Sequence, residues 1–212
     1  MKISYGITVH KEADELNKLL EILIHKTDEE DEIVICFDDT EGEDDGVRFV
    51  LDSWTAQYAH LKMMKIYQRK LNGDFSAHKN SVIENSSGDY IFHIDADEYP
   101  HENLLLNLKT ILEVNDVDLI WVPRVNTVDG ITQDHINKWG WRINEKGWVN
   151  YPDHLSRIFR NDEKIRWQRP VHEIIIGCKT YAHLPSHEEL SLYHPKTIEK
   201  QEKQNRLYLE MM

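Results

Sequence analysis

Apolar and polar positions alternate at the start of the chain. Ile3, Tyr5, Ile7 and Val9 share one side, which is the period of a strand. In ADELNKLLEILIHK the spacing changes: Leu16, Leu19, Leu20 and Leu23 form the stripe of an amphipathic helix. The run Ile33 to Phe37 is apolar throughout, as in a strand covered on both faces, and it stops at Asp38 and Asp39. An acidic loop then leads into a second helix through Val47, Val50, Leu51, Trp54 and Tyr58. A third strand is predicted around Leu61 to Tyr67, a helix over FSAHKNSVIENSS, a strand over Tyr90 to Ile94, a helix through Leu104, Leu105, Leu108, Ile111 and Leu112, and a strand at DLIWVPRV.

Strand and helix thus repeat through the first 125 residues, the pattern of an α/β fold whose mostly parallel sheet carries helices on both faces. Such sheets bind ligands at the carboxyl ends of their strands, where Asp38, Asp39, Asp95 and Asp97 fall. From residue 126 the texture changes. Trp139, Trp141, Trp148 and Tyr151 lie in a polar, weakly periodic segment that reads as a binding loop rather than a core element. Short strands are predicted near Arg157 to Arg160 and Glu173 to Ile176, and a helical tail from Pro195.

Length and charge narrow the picture. A chain of 212 residues suits one domain with one core. Lys and Arg number 25 against 38 Asp and Glu, a net charge of −13, which argues against a surface for long nucleic acids. Two cysteines, Cys36 and Cys178, suggest neither a disulfide framework nor a thiolate metal site. No stretch approaches the roughly 20 apolar residues that cross a bilayer, and MKISYGITVH lacks the apolar core of a signal peptide, so a cytoplasmic location is expected. The ending LYLEMM falls within a helical pattern, which suggests a domain of a longer protein.

The candidate chemistry centres on Asp95-Ala96-Asp97, where a buried strand ends in crowded carboxylates that need either a compensating cation or a solvated turn. Two acids at this spacing suit one Mg²⁺ or Mn²⁺, which would bridge the protein to phosphate oxygens. The alternative is an acidic turn capping the helix that begins near residue 101.

FSAHKNSVIENSSGDYIFHIDADE resembles the central signature of the family 2 glycosyltransferases: a helix with A-[RK]-N, then G-D-Y, then a strand ending in D-x-D. Downstream, YPDHLSRIFRNDEKIRWQRPVHE and LSLYHPKTIEKQEKQNRLYL resemble stretches of the subgroup similar to bacterial lipopolysaccharide core β-glucosyltransferases. The resemblance covers nearly the whole chain. It implies the GT-A, or nucleotide-diphospho-sugar transferase, fold over residues 1–212. Residues 1–125 would form the nucleotide-sugar half and 126–212 the acceptor and catalytic half.

By position, the resemblance makes Asp97 a metal ligand and places Asp95 at the ribose or the metal's water shell. It puts Asp39 at the base, with Asp38 its neighbour, although DDTEGEDD departs from the usual D-G-S. Thr8 and Glu12 would line the nucleotide pocket, with Lys79 in place of the frequent Arg. Glu173 corresponds to the base that deprotonates the acceptor, and His194 to a histidine that completes the metal and diphosphate site. Arg206 is a further candidate for the phosphates. Trp139, Trp141 and Trp148 would offer faces to an acceptor sugar, against the commoner reading of core tryptophans. The implied activity is metal-dependent, inverting hexosyl transfer from a UDP-sugar to a glycan or lipid-linked acceptor. Two competing expectations are a non-catalytic metal- or nucleotide-binding module and a sugar-phosphate nucleotidyltransferase. The latter lacks its Gly-rich loop in GITVHKEADELN.

Overall fold

The computed structural model describes residues 1–58, 60 and 64–211, with side chains as far as residue 206. Its strands are β1 (Ile3–Val9), β2 (Glu32–Phe37), β3 (Met64–Gln68), β4 (Tyr90–Asp95), β5 (Tyr99–Pro100), β6 (Leu119–Asp129), β7 (Val149–Arg160), β8 (Arg166–Gln168), β9 (Ile174–Ile176), β10 (Tyr181–His183) and β11 (Leu192–Thr197). Its helices are α1 (Ala13–Lys26), α2 (Asp45–Tyr58), α3 (Phe75–Asn85), α4 (Glu102–Asn115), α5 (Gln133–Trp139) and α6 (Ile198–Met211). Positions 61–63 of the predicted third strand lie outside the described residues.

The main sheet runs in the order β3-β2-β1-β4-β7-β6-β11-β5, with β10 beside the first part of β6. The strands β3, β2, β1 and β4 are parallel, so their carboxyl ends form one edge. Because β7 is antiparallel to both β4 and β6, the carboxyl end of β6 returns to that same edge. A small β8-β9 hairpin stands apart and packs on α3.

Strand periodicity sorts the core into two layers. Ile33, Ile35 and Phe37 join Ile3, Tyr5, Ile7, Phe92 and Ile94 in the larger core, which also takes the leucine stripes of α1 and α4. Val34 and Cys36 face the other way, onto Val82 of α3. Burying each of α1's four fully enclosed leucines contributes about 1.5–3 kcal/mol, an upper figure against an extended chain.

Two expectations for the second half are corrected. The predicted short strand near Arg157 to Arg160 is the end of a twelve-residue strand, β7, in the middle of the sheet. The tail is not helical from Pro195: Leu192–Thr197 is a strand paired in parallel with β6, and the helix begins at Ile198. His194 therefore sits in the sheet.

Candidate active site

The carboxyl edge of β1, β2 and β3 gathers polar groups, some of them unpaired among the described residues. Asp38 is spoken for: its Oδ1 accepts from the Thr40 amide (2.9 Å), the Thr40 hydroxyl (2.5 Å) and the Leu71 amide (2.9 Å), fixing the loops after β2 and β3. Burial raises the Asp38 pKa, but these donors outweigh it and the net shift is downward. Asp39 differs. Among the described residues its buried Oδ1 has no hydrogen-bond partner, and neither do Nε2 of His10 after β1 and Nε of Arg69 after β3. Glu12 holds its own turn, accepting from the amides of His10 and Lys11 at 2.9 and 3.1 Å. A buried polar atom without a partner costs about 1–3 kcal/mol, so three at one edge point to a ligand with complementary groups.

The next strand end carries Asp95 and Asp97. Asp95 Oδ1 accepts from the Thr8 hydroxyl (3.3 Å) and lies 3.8 Å from Lys79 Nζ, while Oδ2 accepts from Arg157 Nη2 (2.5 Å). Burial pushes the Asp95 carboxyl up, yet the charges of Arg157 and Lys79 hold it well below the usual range. The same Arg157 nitrogen donates to Glu98 (2.6 Å), which is fully buried and also accepts from Arg124 (2.9 Å). Asp97 Oδ2 is 3.4 Å from His194 Nε2 and 3.3 Å from Lys200 Nζ. Burial raises the Asp97 pKa, but His194 and Lys200 lower it by more. For His194 burial wins over the Asp97 charge, and its pKa falls.

Asp97 and His194 can share a cation: cis ligands of an octahedral ion at about 2.1 Å stand about 3 Å apart, close to the 3.4 Å observed. Among the described residues no group of three His, Cys, Asp or Glu side chains converges on one point. The remaining positions of such an ion would fall to phosphate oxygens and water, the usual arrangement for Mg²⁺.

Glu173 closes the other side. It follows a turn in which Arg169 (φ 75°) and His172 (φ 53°) adopt the left-handed region that side-chain-bearing residues avoid. The Pro170 carbonyl accepts from the Phe75 amide (2.9 Å), pinning this turn to the start of α3. Glu173 is paired with Lys79 (2.5 Å). Lys79 is 6% exposed and lies over the Trp167 ring at 4.8 Å, so it is no solvated helix charge. Burial raises the Glu173 pKa, Lys79 lowers it by more, and the carboxyl ends below its ordinary value.

The tryptophans divide. Trp139 and Trp141 are half-buried with ring centroids 4.6 Å apart, and His135 stacks on Trp139 at 5.3 Å. Trp148 is buried edge-to-face on Tyr151, with Lys146 above it. Arg206 is exposed on α6. Cys36 is buried and Cys178 half-buried, and both are free thiols. Sequence reasoning missed His10, Arg69, Arg124, Arg157 and Lys200. Each follows or interrupts a predicted strand or lies in the tail, but a lone basic residue there carries no spacing signal.

The profile of glycosyl transferase family 2 matches residues 4–185. A TPR repeat-containing protein of Synechococcus elongatus is 33% identical over 102 residues, covering 48% of this chain and 21% of that protein. The poly(ribitol-phosphate) beta-glucosyltransferase of Bacillus spizizenii is 29% identical over 121 residues, covering 56% and 18%. The chain thus aligns with about a fifth of the length of these relatives. Among solved structures, S. aureus TarS 1-349 superimposes with a TM-score of 0.62 at 14% identity, covering 92% of this chain and 60% of that one. Its complex with UDP gives 0.62 at 15% identity with the same coverage. At these identities the likeness is one of fold.

Proposed function

We propose, from the premise that this chain belongs to glycosyl transferase family 2 and has a GT-A fold, that it moves a hexose from a UDP-sugar to a hydroxyl of a glycan, glycolipid or glycoprotein acceptor with inversion. Membership of the family supports glycosyl transfer over the non-catalytic module and the nucleotidyltransferase. Kinship to the lipopolysaccharide core β-glucosyltransferases, a single-domain division into residues 1–125 and 126–212 within a longer protein, and a cytoplasmic location belong to the same proposal. Among the described residues no helix is long and apolar enough to cross a membrane.

The observation that carries the reading is the set of unpartnered buried atoms at the ends of β1, β2 and β3. Uracil presents an N3–H donor between two carbonyl acceptors. An acid that can only accept, Asp39, suits the donor, and a guanidinium that can only donate, Arg69, suits a carbonyl. TarS has been solved with UDP and with UDP-GlcNAc, and the same nucleotide is proposed here. Thr8 and Glu12 border this pocket, and Asp95 meets the ribose or a cation's water shell. Asp38 shapes the pocket through the loops it holds.

Asp97 and His194 are the residues that would hold Mn²⁺ or Mg²⁺. Such an ion, when bound, supplies Lewis-acid stabilisation to the charge on the departing diphosphate. Lys79 turns from Glu173 to the diphosphate as the donor arrives. That frees Glu173 to take the proton from the acceptor hydroxyl as its oxygen attacks the anomeric carbon opposite the leaving group, and one displacement inverts that carbon. The half-buried Trp139–Trp141 pair offers an aromatic face to the acceptor sugar, with the buried Trp148 in the same segment.

Calorimetric titration of UDP and CDP in the presence of Mn²⁺ tests the pocket. UDP should bind tighter, and Asp39→Ala should weaken UDP by about 10- to 100-fold while removing the preference, since a hydrogen bond to a charged group contributes about 1.5–3 kcal/mol. Equal affinities for the two nucleotides in the unaltered protein would overturn the base assignment.

A further inference from the structure

A line of polar groups crosses three neighbouring strands behind the Asp97–His194 pair. Arg124 and Asp153 face each other across β6 and β7, and Asn126 and His194 face each other across β6 and β11. The β6–β7 register shifts between Arg124 and Asn126, and both side chains reach the same atom: Asp153 Oδ2 accepts from Arg124 Nε (3.1 Å), Arg124 Nη2 (2.7 Å) and Asn126 Nδ2 (2.9 Å). Bulges of this kind re-aim side chains next to sites.

The hydrogen-bond inventory then leaves one arrangement. An ionised carboxylate only accepts, so Asn126 must turn its NH₂ toward Asp153. Its oxygen is thereby turned toward His194 Nδ1, 2.9 Å away. That oxygen also only accepts, so Nδ1 must carry the ring proton and donate it. In the neutral ring Nε2 is then a bare lone pair, 3.4 Å from the Asp97 carboxylate. Two acceptors set face to face form a seat for a cation.

We infer that Asn126 and Asp153 are positioning residues that lock His194 in its Nδ1–H tautomer and aim the Nε2 lone pair at the point it shares with Asp97. The inference rests on the proposed role of Asp97 and His194, and it concerns the chain's own residues before any ion is bound. A histidine ligand whose far nitrogen is held in this way gains orientation and basicity, and loss of such a partner typically weakens metal affinity about 10- to 100-fold.

The test reads the tautomer directly, by long-range ¹H–¹⁵N NMR of the metal-free protein near pH 8, with the His194 signals identified by their loss in His194→Gln. The unaltered protein should show a protonated Nδ1 and an unprotonated Nε2. Asn126→Leu should shift His194 toward the Nε2–H form that free imidazole side chains prefer, and Mn²⁺ affinity in the presence of UDP should drop 10- to 100-fold. Asn126→Asp, which still offers an acceptor to Nδ1–H, should keep the proton on Nδ1. A proton on Nε2 in the unaltered protein, or an unchanged tautomer in Asn126→Leu, would overturn the inference. Should Asn126→Leu not fold, the unaltered spectrum decides alone. Failure of every form to bind Mn²⁺ while the tautomers follow this pattern would remove the metal reading and leave the relay standing.

Discussion

Asp38 and Asp39 adjoin in the chain and do different things, because Asp38 Oδ1 already has three donors while, among the described residues, Asp39 Oδ1 has none. The distinction was not legible in DDTEGEDD, where the two acids look alike; it depends on Leu71, whose amide reaches Asp38 from a loop 33 residues away. Asp95 and Asp97 are the opposite case: a strand that ends in D-x-D announces its acids. What the motif hides is Arg157, brought to Asp95 by β7 from 62 residues downstream. His93 was equally silent within YIFHID. It is fully buried beside Trp167, and burial lowers its pKa from 6.5 to about 4. Its folded-state pKa lies below the unfolded value, so the unfolded chain binds the extra proton. Stability is full above pH 6.5 and falls as the pH drops toward 4, by about 3 kcal/mol from this group. Urea unfolding at pH 7 and pH 4.5 checks this: the loss between the two should be smaller by most of that amount in His93→Gln, and an equal loss would contradict the assignment.

At the scale of elements, β1, β2 and β4 and the helices α1 and α4 could be read from periodicity because their side chains serve mainly to fill a core. The strands β7 and β11 could not. Asp153, Arg157, His194 and Lys196 occupy positions where a core strand would show apolar residues; Arg157 and His194 are buried, Asp153 and Lys196 half-buried, and each is paired with a polar group on another element. Strands that carry the site break the pattern that identifies strands. The turn at residues 169–173 is a further instance: two left-handed residues within four positions deliver Glu173 to Lys79 of α3, a contact between elements 94 residues apart. If the turn exists to present a base, Glu173→Gln should bind UDP as the unaltered protein does and lose transfer by a factor of about 10² or more. Because Lys79 holds the Glu173 pKa down in the donor-free protein, the acid limb of kcat/KM, which reports the free enzyme, should lie below the ordinary range for a glutamate. Near-normal turnover of the variant, measured by release of UDP alongside acceptor, would move the base elsewhere.

The whole molecule sets the last condition. Its net charge of −13 repels a diphosphate at long range, and the local cations do not reverse this. Arg124, Arg157, Lys79 and Lys200 each already face a carboxylate, in pairs with Glu98, Asp95, Glu173 and Asp97. Lys196, whose pKa is lowered by burial, hydrogen-bonds Gln204. A site so nearly neutralised by its own ion pairs needs added positive charge to hold a pyrophosphate, and the Asp97–His194 pair is where the chain can take it. Titration of UDP-hexose into the protein, first with Mn²⁺ and then after complete chelation, puts this to the test. The account predicts that affinity falls by a factor on the order of 10² or more on chelation, and that Asp97→Ala binds as weakly with Mn²⁺ as the chelated protein does without it. Undiminished binding after chelation would contradict it.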